Sequence, residues 1–245
     1  MKITNTWLFL KPIAHRGLHD AQAPENSLAA FKKAKDAGYP IELDVRIIDD
    51  GTVIVFHDEK LCRLTGSDGY VTNLVKEKLK DYKILKTDEK IPTFEEALET
   101  INGQVPILIE IKNNHKVGML ERKVLEILKG YDGEYAVQSF NPYTIEYFKN
   151  CAPHIMRGQL SSFFIEEKSL GALKKFVLKR MLLNRISRPD FISYEHKYLP
   201  NIYVTRTKLP VLAWTVRSQQ EYEDVKMYCN NIIFENFIPV VENKK

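Results

Sequence analysis

Short apolar segments alternate with amphipathic segments along almost the whole chain, and this alternation limits the possible folds more than any other feature. Nine segments have the apolar, β-branched content of buried strands: residues 11–14, 41–48, 53–56, 105–111, 135–139, 155–160, 191–194, 211–216 and 231–234. Helical spacing predicts helices between them, at 28–37, from 93 onward, and at 119–128, 142–149, 166–183 and 219–228. Such alternation indicates parallel βαβ units.

The number of strands favours a closed barrel. About eight strands in 245 residues fit an α/β fold of the single TIM-type (β/α)8 class, as one domain over residues 1–245, better than an open doubly wound sheet. No Gly-rich phosphate loop is present. Asp50-Gly51 predicts a hairpin turn, and the Lys-rich segment 63–90 predicts a short irregular excursion after the second strand. Asn26 is the expected N-cap of the first helix, which Gly38 ends.

Charge and cysteine content exclude several classes of protein. Thirty-six basic and 32 acidic residues give a net charge of +4, which is too mild to predict a nucleic-acid partner. Three scattered cysteines suggest a reducing compartment. The apolar run Trp7-Leu-Phe-Leu10 is too short for a signal-peptide core, and no run is long enough to span a bilayer. We therefore expect a cytoplasmic enzyme without stable membrane insertion; the sequence indicates no oligomeric state.

Three carboxylates lie on segments that otherwise resemble core strands. Glu42 and Asp44 are two apart, so they share one face of a strand, and Glu110 ends another apolar run. Two like charges ~4 Å apart cost roughly 4 kcal/mol at an effective dielectric constant of 20. One divalent cation, Ca²⁺ or Mg²⁺, would neutralise such a group. The alternative for Glu42 and Asp44 is an exposed strand face paired with surface lysines.

Histidines and cations follow the same strands. His15 and His57 come after strand candidates, and such a pair can supply a base and an acid near neutral pH. Arg16 and Lys112 are available for an anion, and Lys112 could form a salt bridge to Glu110 or Glu42 with or without that role. The remaining histidines lack such company, and we expect them to be surface or structural residues: His19, His115, His154 and His196.

Taken in order, these residues resemble the glycerophosphodiester phosphodiesterase family. The resemblance is carried by His15-Arg-Gly17, Pro24-Glu-Asn-Ser27, Glu42-x-Asp44, His57-Asp58, Leu61-x-Arg63-x-Thr65, Pro92-Thr-Phe-Glu-Glu96, Glu110-x-Lys112, Gln138-Ser-Phe140 and Trp214-Thr-Val216. It covers nearly the whole chain and is densest in residues 13–112. Each piece is a weak signal by itself, but this order of pieces is specific.

The resemblance implies a TIM-type barrel whose substrates are small molecules, the glycerophosphodiesters. It also implies a metal-dependent reaction that hydrolyses them to glycerol 3-phosphate and an alcohol. The implied metal ligands are Glu42, Asp44 and Glu110, and the implied acid/base pair is His15 and His57. Arg16 and Lys112 would bind the phosphate. Gln138 and Trp214 would line the substrate pocket, or would simply pack inside the barrel.

Two positions depart from the family pattern. Arg217 stands where the family often has Asn, and Glu235 stands where it often has Asp. Two other functions stay open. A phospholipase D-like enzyme acting on a lysophospholipid could share the barrel, with Phe163-Phe164 and Phe237-Ile238 as candidates for an apolar rim. A non-catalytic barrel could merely bind a phosphorylated ligand, although all seven expected ligand, histidine and cation positions are filled.

Overall fold

The computed structural model describes residues 6–113, 116–168 and 170–241, and eight parallel strands form a closed ring in it. The strands of the sheet are β1 (Ile13–Ala14), β2 (Ile41–Ile47), β3 (Val53–Val55), β4 (Ile107–Ile111), β5 (Tyr135–Ser139), β6 (Met156–Ser161), β7 (Phe191–Glu195), β8 (Val211–Val216) and β9 (Asn231–Phe234). All except β3 pair in parallel, and β1 joins both β9 and β2. The predicted TIM-type barrel is confirmed.

Helices connect the strands around the outside of the ring. They are α1 (Leu28–Asp36), α2 (Cys62–Thr65), α3 (Phe94–Ile101), α4 (Met119–Leu128), α5 (Pro142–Cys151), α6 (Ala172–Lys179), α7 (Asn184–Ser187), α8 (Ile202–Thr205) and α9 (Gln219–Val225). Single 3₁₀ turns lie at Trp7–Phe9, Val71–Asn73 and His196–Tyr198, and a longer one at Lys76–Asp81. In the described residues no helix is long and apolar enough to cross a membrane.

Local side-chain chemistry explains where two of the helices begin. Thr93 and Glu96 form a capping box at α3: the Thr93 hydroxyl accepts from the Glu96 N–H, and the Glu96 carboxylate accepts from the Thr93 N–H. The Asn26 cap predicted for α1 is wrong, because Ser27 caps it by accepting from the Ala30 N–H at 3.2 Å. Asn26 instead has a left-handed backbone and its side chain turns into the barrel.

Helix 166–183 is the least accurate of the predictions. The helix α6 covers only Ala172–Lys179. Met181, two residues after its end, has a left-handed backbone, which prevents the helix from continuing. None of the α6 side chains is buried. The apolar residues that suggested one long amphipathic helix are therefore not packed as a single face.

The excursion after the second strand is confirmed, and it begins after the hairpin strand β3. Val53–Val55 runs antiparallel to β2 and stands outside the ring. The segment that follows consists of short turns around a small apolar cluster of its own, formed by Ile48, Ile54, Phe56, Leu61, Leu64, Val71, Leu74, Leu79, Ile84 and Ile91. This cluster holds the excursion against the barrel.

An apolar floor fills the barrel below the strand ends. It consists of Leu8, Ile13, Leu108, Ala136, Phe191, Leu212 and Ile233. The Asn231 amide fixes the N-terminal turn beneath it by donating to the carbonyls of Leu8 at 2.8 Å and Lys11 at 2.7 Å. A Cβ at Gly158 would overlap the Phe191 ring, so only glycine fits there. Polar side chains are thereby confined to the carboxyl end of the ring, where TIM barrels place their active sites.

Candidate active site

Strands β2 and β4 bring three carboxylates together at the carboxyl end of the barrel. Glu42 and Asp44 share the inner face of β2, and Asp44 is the register partner of Glu110 on β4. All three are buried, and each offers an oxygen within 4.8 Å of those of the others. The exposed strand face considered as the alternative for Glu42 and Asp44 is therefore wrong.

The charges of the three carboxylates favour a bound cation. Burial raises the pKa of Glu42 well above its usual range, and the charges of Asp44 and Glu110 raise it further. Burial also raises the pKa of Asp44, but Lys112, His57 and Arg16 overcome this effect and hold it well below its usual range. The Asp44 Oδ1 atom is buried, and none of the described residues donates a hydrogen bond to it. An oxygen donor set of this kind is compatible with a divalent cation.

Lys112 lies against two of the three acids. Its Nζ is 2.8 Å from Glu110 Oε1 and 3.3 Å from Asp44 Oδ1. Of the two salt bridges considered for Lys112, the one to Glu110 is present, and the one to Glu42 is not among the described ion pairs. Burial lowers the pKa of Lys112, but these carboxylates more than compensate and raise it, so the side chain remains a cation.

The His15-Arg16-Gly17 turn is held tightly after β1. The His15 N–H donates to the Phe234 carbonyl at 2.9 Å, and Arg16 and Gly17 both have left-handed backbones. A Cβ at Gly17 would come within 2.8 Å of the Ala30 backbone. This turn aims the Arg16 N–H at Glu42 Oε2, 3.1 Å away.

Arg16 connects the acidic group to the excursion. Its guanidinium is 3.2 Å from Asp44 Oδ2 and donates to Glu25 Oε1 at 2.5 Å. Arg63 of the excursion binds both Glu25, at 2.7 Å, and Asp58, at 2.6 Å. Burial raises the pKa of Glu25, but the two arginines together lower it to about 2. A continuous chain of opposite charges therefore runs from Arg16 to the residue beside His57.

His15 is fixed through its Nδ1 atom. Glu235, directly after β9, hydrogen-bonds this nitrogen, and the other carboxylate oxygen accepts from Arg217 Nε at 2.7 Å. The His15 Nε2 atom is then on the site side, 4.0 Å from Glu42 Oε2. Burial and the charge of Arg16 lower the pKa of His15 to about 4 although Glu235 opposes this change, so the ring is neutral at physiological pH.

His57 has the same arrangement on the excursion side. Its Nδ1 atom is 2.7 Å from Asp58 Oδ1, and Asp58 is held by Arg63. Arg46, on the inner face of β2, donates to the His57 carbonyl at 3.0 and 2.6 Å. Each of the two histidines thus has an arginine-bound carboxylate on Nδ1, which leaves Nε2 for a substrate.

The two expected pocket residues differ in their surroundings. Gln138 on β5 is the register partner of Glu110 and is buried, and its Oε1 accepts from Ser193 Oγ at 2.7 Å. Trp214 on β8 is partly exposed and packs edge-to-face on Phe140, with ring centroids 5.5 Å apart. Its Nε1 is buried and has no hydrogen-bond partner among the residues that the structure describes. Gln138 therefore packs inside the barrel beside the acidic group, whereas Trp214 retains a free donor.

Sequence reasoning missed several residues of the site. Asn26 donates to Asp44 Oδ2 at 2.8 Å, and its place within Pro24-Glu-Asn-Ser27 was the available signal. His19 was expected to be a surface or structural residue, yet its Nε2 is 3.5 Å from Glu235. His154 is exposed, as expected; His196 is largely enclosed, 3.7 Å from Glu221; and His115 lies outside the described residues. The signal for Glu235 and Arg217 was that both departed together from the family pattern.

Comparison with known proteins agrees with this geometry. The sequence matches the Glycerophosphoryl diester phosphodiesterase family over residues 15–237. The chain belongs to this family. The resemblance seen in the motifs is confirmed, and so is the assignment to an enzyme family of hydrolases.

Individual relatives extend the comparison. A glycerophosphodiester phosphodiesterase of Caldanaerobacter subterraneus subsp. tengcongensis is 37% identical over 60% of this chain, and the matched part is a little under two thirds, 65%, of that protein. A putative glycerophosphodiester phosphodiesterase of Bacillus subtilis is 29% identical over 85% of this chain and 86% of its own. The structure of an Oleispira antarctica phosphodiesterase in complex with sn-glycerol-3-phosphate shares the fold, with 24% identity, a TM-score of 0.74 and 93% of each chain covered.

Proposed function

We propose that the chain hydrolyses glycerophosphodiesters to glycerol 3-phosphate and an alcohol, in a metal-dependent reaction with His15 and His57 as the acid/base pair. The observation that carries the proposal is the convergence of Glu42, Asp44 and Glu110 at the carboxyl end of the barrel. The family match supports the reaction class. The Oleispira enzyme, which binds the same product, supports the substrate class.

The three carboxylates would hold one divalent cation, Ca²⁺ or Mg²⁺. When bound there, such an ion withdraws charge from the phosphate and favours attack on phosphorus. Arg16 and Lys112 add fixed positive charge next to the same place, and the salt bridges with Glu25, Asp44 and Glu110 hold both side chains in position. Their role is to bind the phosphate oxygens and to stabilise the negative charge that grows in the transition state.

The two histidines exchange protons with the reacting oxygens. One Nε2 takes the proton of the attacking hydroxyl as its oxygen bonds to phosphorus. The other Nε2 gives a proton to the alcohol oxygen as the bond from phosphorus to that oxygen breaks. The attacking oxygen is either water or the adjacent glycerol hydroxyl; ³¹P NMR during turnover distinguishes them, because only the hydroxyl gives a cyclic phosphodiester. Glu235 and Asp58 orient the rings from Nδ1.

A coupled assay for released glycerol 3-phosphate tests the proposal. Activity on several head groups should need Ca²⁺, Mg²⁺ or Mn²⁺, disappear with chelator, and fall by at least ~10²-fold in His15→Ala and His57→Ala. His154→Ala is the matched control, because His154 is exposed and should leave the rate unchanged. A folded His15→Ala or His57→Ala protein with full activity would contradict the mechanism, and inactivity on every glycerophosphodiester would revive the non-catalytic barrel.

A lysophospholipid is the second candidate substrate, because apolar side chains are exposed near the strand ends. Of the rim candidates, Phe163 stacks on Tyr198 and Phe237 packs on Phe234, so neither is a free rim residue. Ile238 is exposed, and so is Ile165, directly after Phe164. Comparing glycerophosphocholine with lysophosphatidylcholine as substrates separates the two candidates. We also propose a cytoplasmic location; it is supported by the absence of disulfides among the three cysteines, all of which lie in the described residues.

A further inference from the structure

The segment between β6 and β7 presents an unusual surface, which we call the rim surface and define as residues 165–168 and 170–182. Large apolar side chains stand in solvent on it: Ile165 is 65% exposed, Leu173 78%, Phe176 41% and Leu182 50%. The helix α6 buries none of its side chains. A helix of a globular protein ordinarily buries an apolar stripe, whereas on α6 Val177 and Leu178 are only partly buried and Leu173 and Phe176 are exposed.

The rim surface lies at the end of the barrel that carries the candidate active site. The Leu178 carbonyl accepts from Ser161 Oγ at 2.9 Å, and the Lys179 carbonyl accepts from the Tyr194 hydroxyl at 3.2 Å. Ser161 ends β6, and Tyr194 is next to the last residue of β7. These bonds hold α6 beside the carboxyl ends of two barrel strands.

The rim surface also carries a net positive charge. It includes five basic side chains and only two acidic ones: Lys168, Lys174, Lys175, Lys179 and Arg180 against Glu166 and Glu167. The surface therefore carries +3, whereas the whole chain carries +4. In the described part of the chain no carboxylate pairs with these five cations, although Lys179 lies 5.6 Å from the Phe163 ring centroid and Arg180 lies 3.8 Å from that of Phe176. Lys168 and Lys174 are exposed on the same surface as the exposed apolar groups.

We propose that the rim surface docks onto an anionic lipid bilayer, with the mouth of the barrel facing the membrane. Interfacial helices combine apolar side chains that enter the headgroup region with lysines and arginines that meet anionic headgroups. A nucleic acid would match the charge but would offer nothing to Leu173 or Leu182. Docking of this kind is peripheral and requires no membrane-spanning helix. It would bring the site close to substrates released from, or still anchored in, the bilayer.

Vesicle co-sedimentation tests the docking directly. The full chain should bind vesicles of equal parts phosphatidylglycerol and phosphatidylcholine at low salt and dissociate from them at high salt. It should not bind vesicles of pure phosphatidylcholine. The double variant Lys174→Gln/Lys175→Gln should bind about 30-fold more weakly, since each basic residue near an anionic surface contributes about 1 kcal/mol. Leu173→Ser/Phe176→Ser should bind at least ~10-fold more weakly.

A matched control triple, Lys32→Gln/Lys129→Gln/Met227→Ser, removes two exposed lysines and one exposed apolar residue from the outer helical layer. It should bind vesicles like the unmodified chain. All variants should keep the circular dichroism spectrum and the rate on a soluble glycerophosphodiester, because none of the changed residues is a proposed metal ligand, acid/base residue or phosphate-binding residue. Vesicle binding needs no turnover, so it separates failure of this proposal from failure of the proposed activity.

Three results would overturn the docking. The unmodified chain could fail to bind anionic vesicles, or the control triple could lose as much binding as the rim variants. Alternatively, sedimentation equilibrium could show a dimer that Leu173→Ser/Phe176→Ser dissolves, in which case a second copy of the chain covers the rim surface.

Discussion

Removing the charge of Lys112 should destabilise the protein strongly when no cation is supplied. Lys112 Nζ contacts Glu110 at 2.8 Å and Asp44 at 3.3 Å in a largely buried setting. In Lys112→Met the two carboxylates stay in place without this partner. Breaking a buried pair in this way costs about 3–5 kcal/mol, because an uncompensated charge remains. For a chain of this size that corresponds to a melting temperature lower by about 6–20 °C.

Thermal unfolding in chelator, followed by the same measurement with excess Mg²⁺ or Ca²⁺, gives the test. A cation bound by the three acids would replace the missing charge, so the deficit of the variant should shrink by at least half. Lys129→Met, at an exposed lysine, is the control and should lie within about 0.5 kcal/mol of the unmodified chain. If Lys112→Met melts within about 2 °C of the unmodified chain in chelator, the charge of Lys112 does not stabilise the buried carboxylates and the reasoning fails.

Further predictions concern Glu235, His15 and the barrel floor. Glu235→Gln should lower kcat by about 10²-fold with little change in KM, and Glu235→Asp should recover part of it; a KM effect alone would contradict an orienting role. Since burial lowers the pKa of His15 to about 4, the native state disfavours its proton. Stability should therefore rise by about 3 kcal/mol between pH 4 and 6.5, and His15→Gln should flatten that part of a urea-midpoint profile; an unchanged slope would refute it. Gly158→Ala should cost about 1–3 kcal/mol in denaturant titrations by crowding Phe191, whereas Gly130→Ala, with open space around it, should not; equal midpoints would exclude the clash.

The barrel strands could be predicted from the sequence because strands buried on both faces leave a strong local signal. The bounds of β5, β8 and β9 agree with the expected ranges. The acidic residues stood out for the related reason that charge is costly on such strands. Glu42, Asp44 and Glu110 could therefore be grouped before their positions were known.

Contacts between distant parts of the chain could not be predicted in this way. Glu235 reaches His15 across 220 positions, and Arg63 reaches Glu25 across 38, so no local pattern reports either pair. The helix predicted at 166–183 was wrong for a different reason. Its periodicity is that of a packed helix, but burial depends on which other parts of the fold pack against it, and Leu173 stays 78% exposed.

The antiparallel strand β3 has a consequence for how this scaffold can change. The strand β3 pairs with β2 but takes no part in closing the ring. His57 therefore follows a hairpin strand outside the barrel, not one of the eight barrel strands. The excursion that follows β3 can change in length or orientation without disturbing the hydrogen bonds between the eight barrel strands. One of the two proposed acid/base residues can therefore shift its position during evolution, whereas the three carboxylates proposed to bind the cation are fixed on barrel strands.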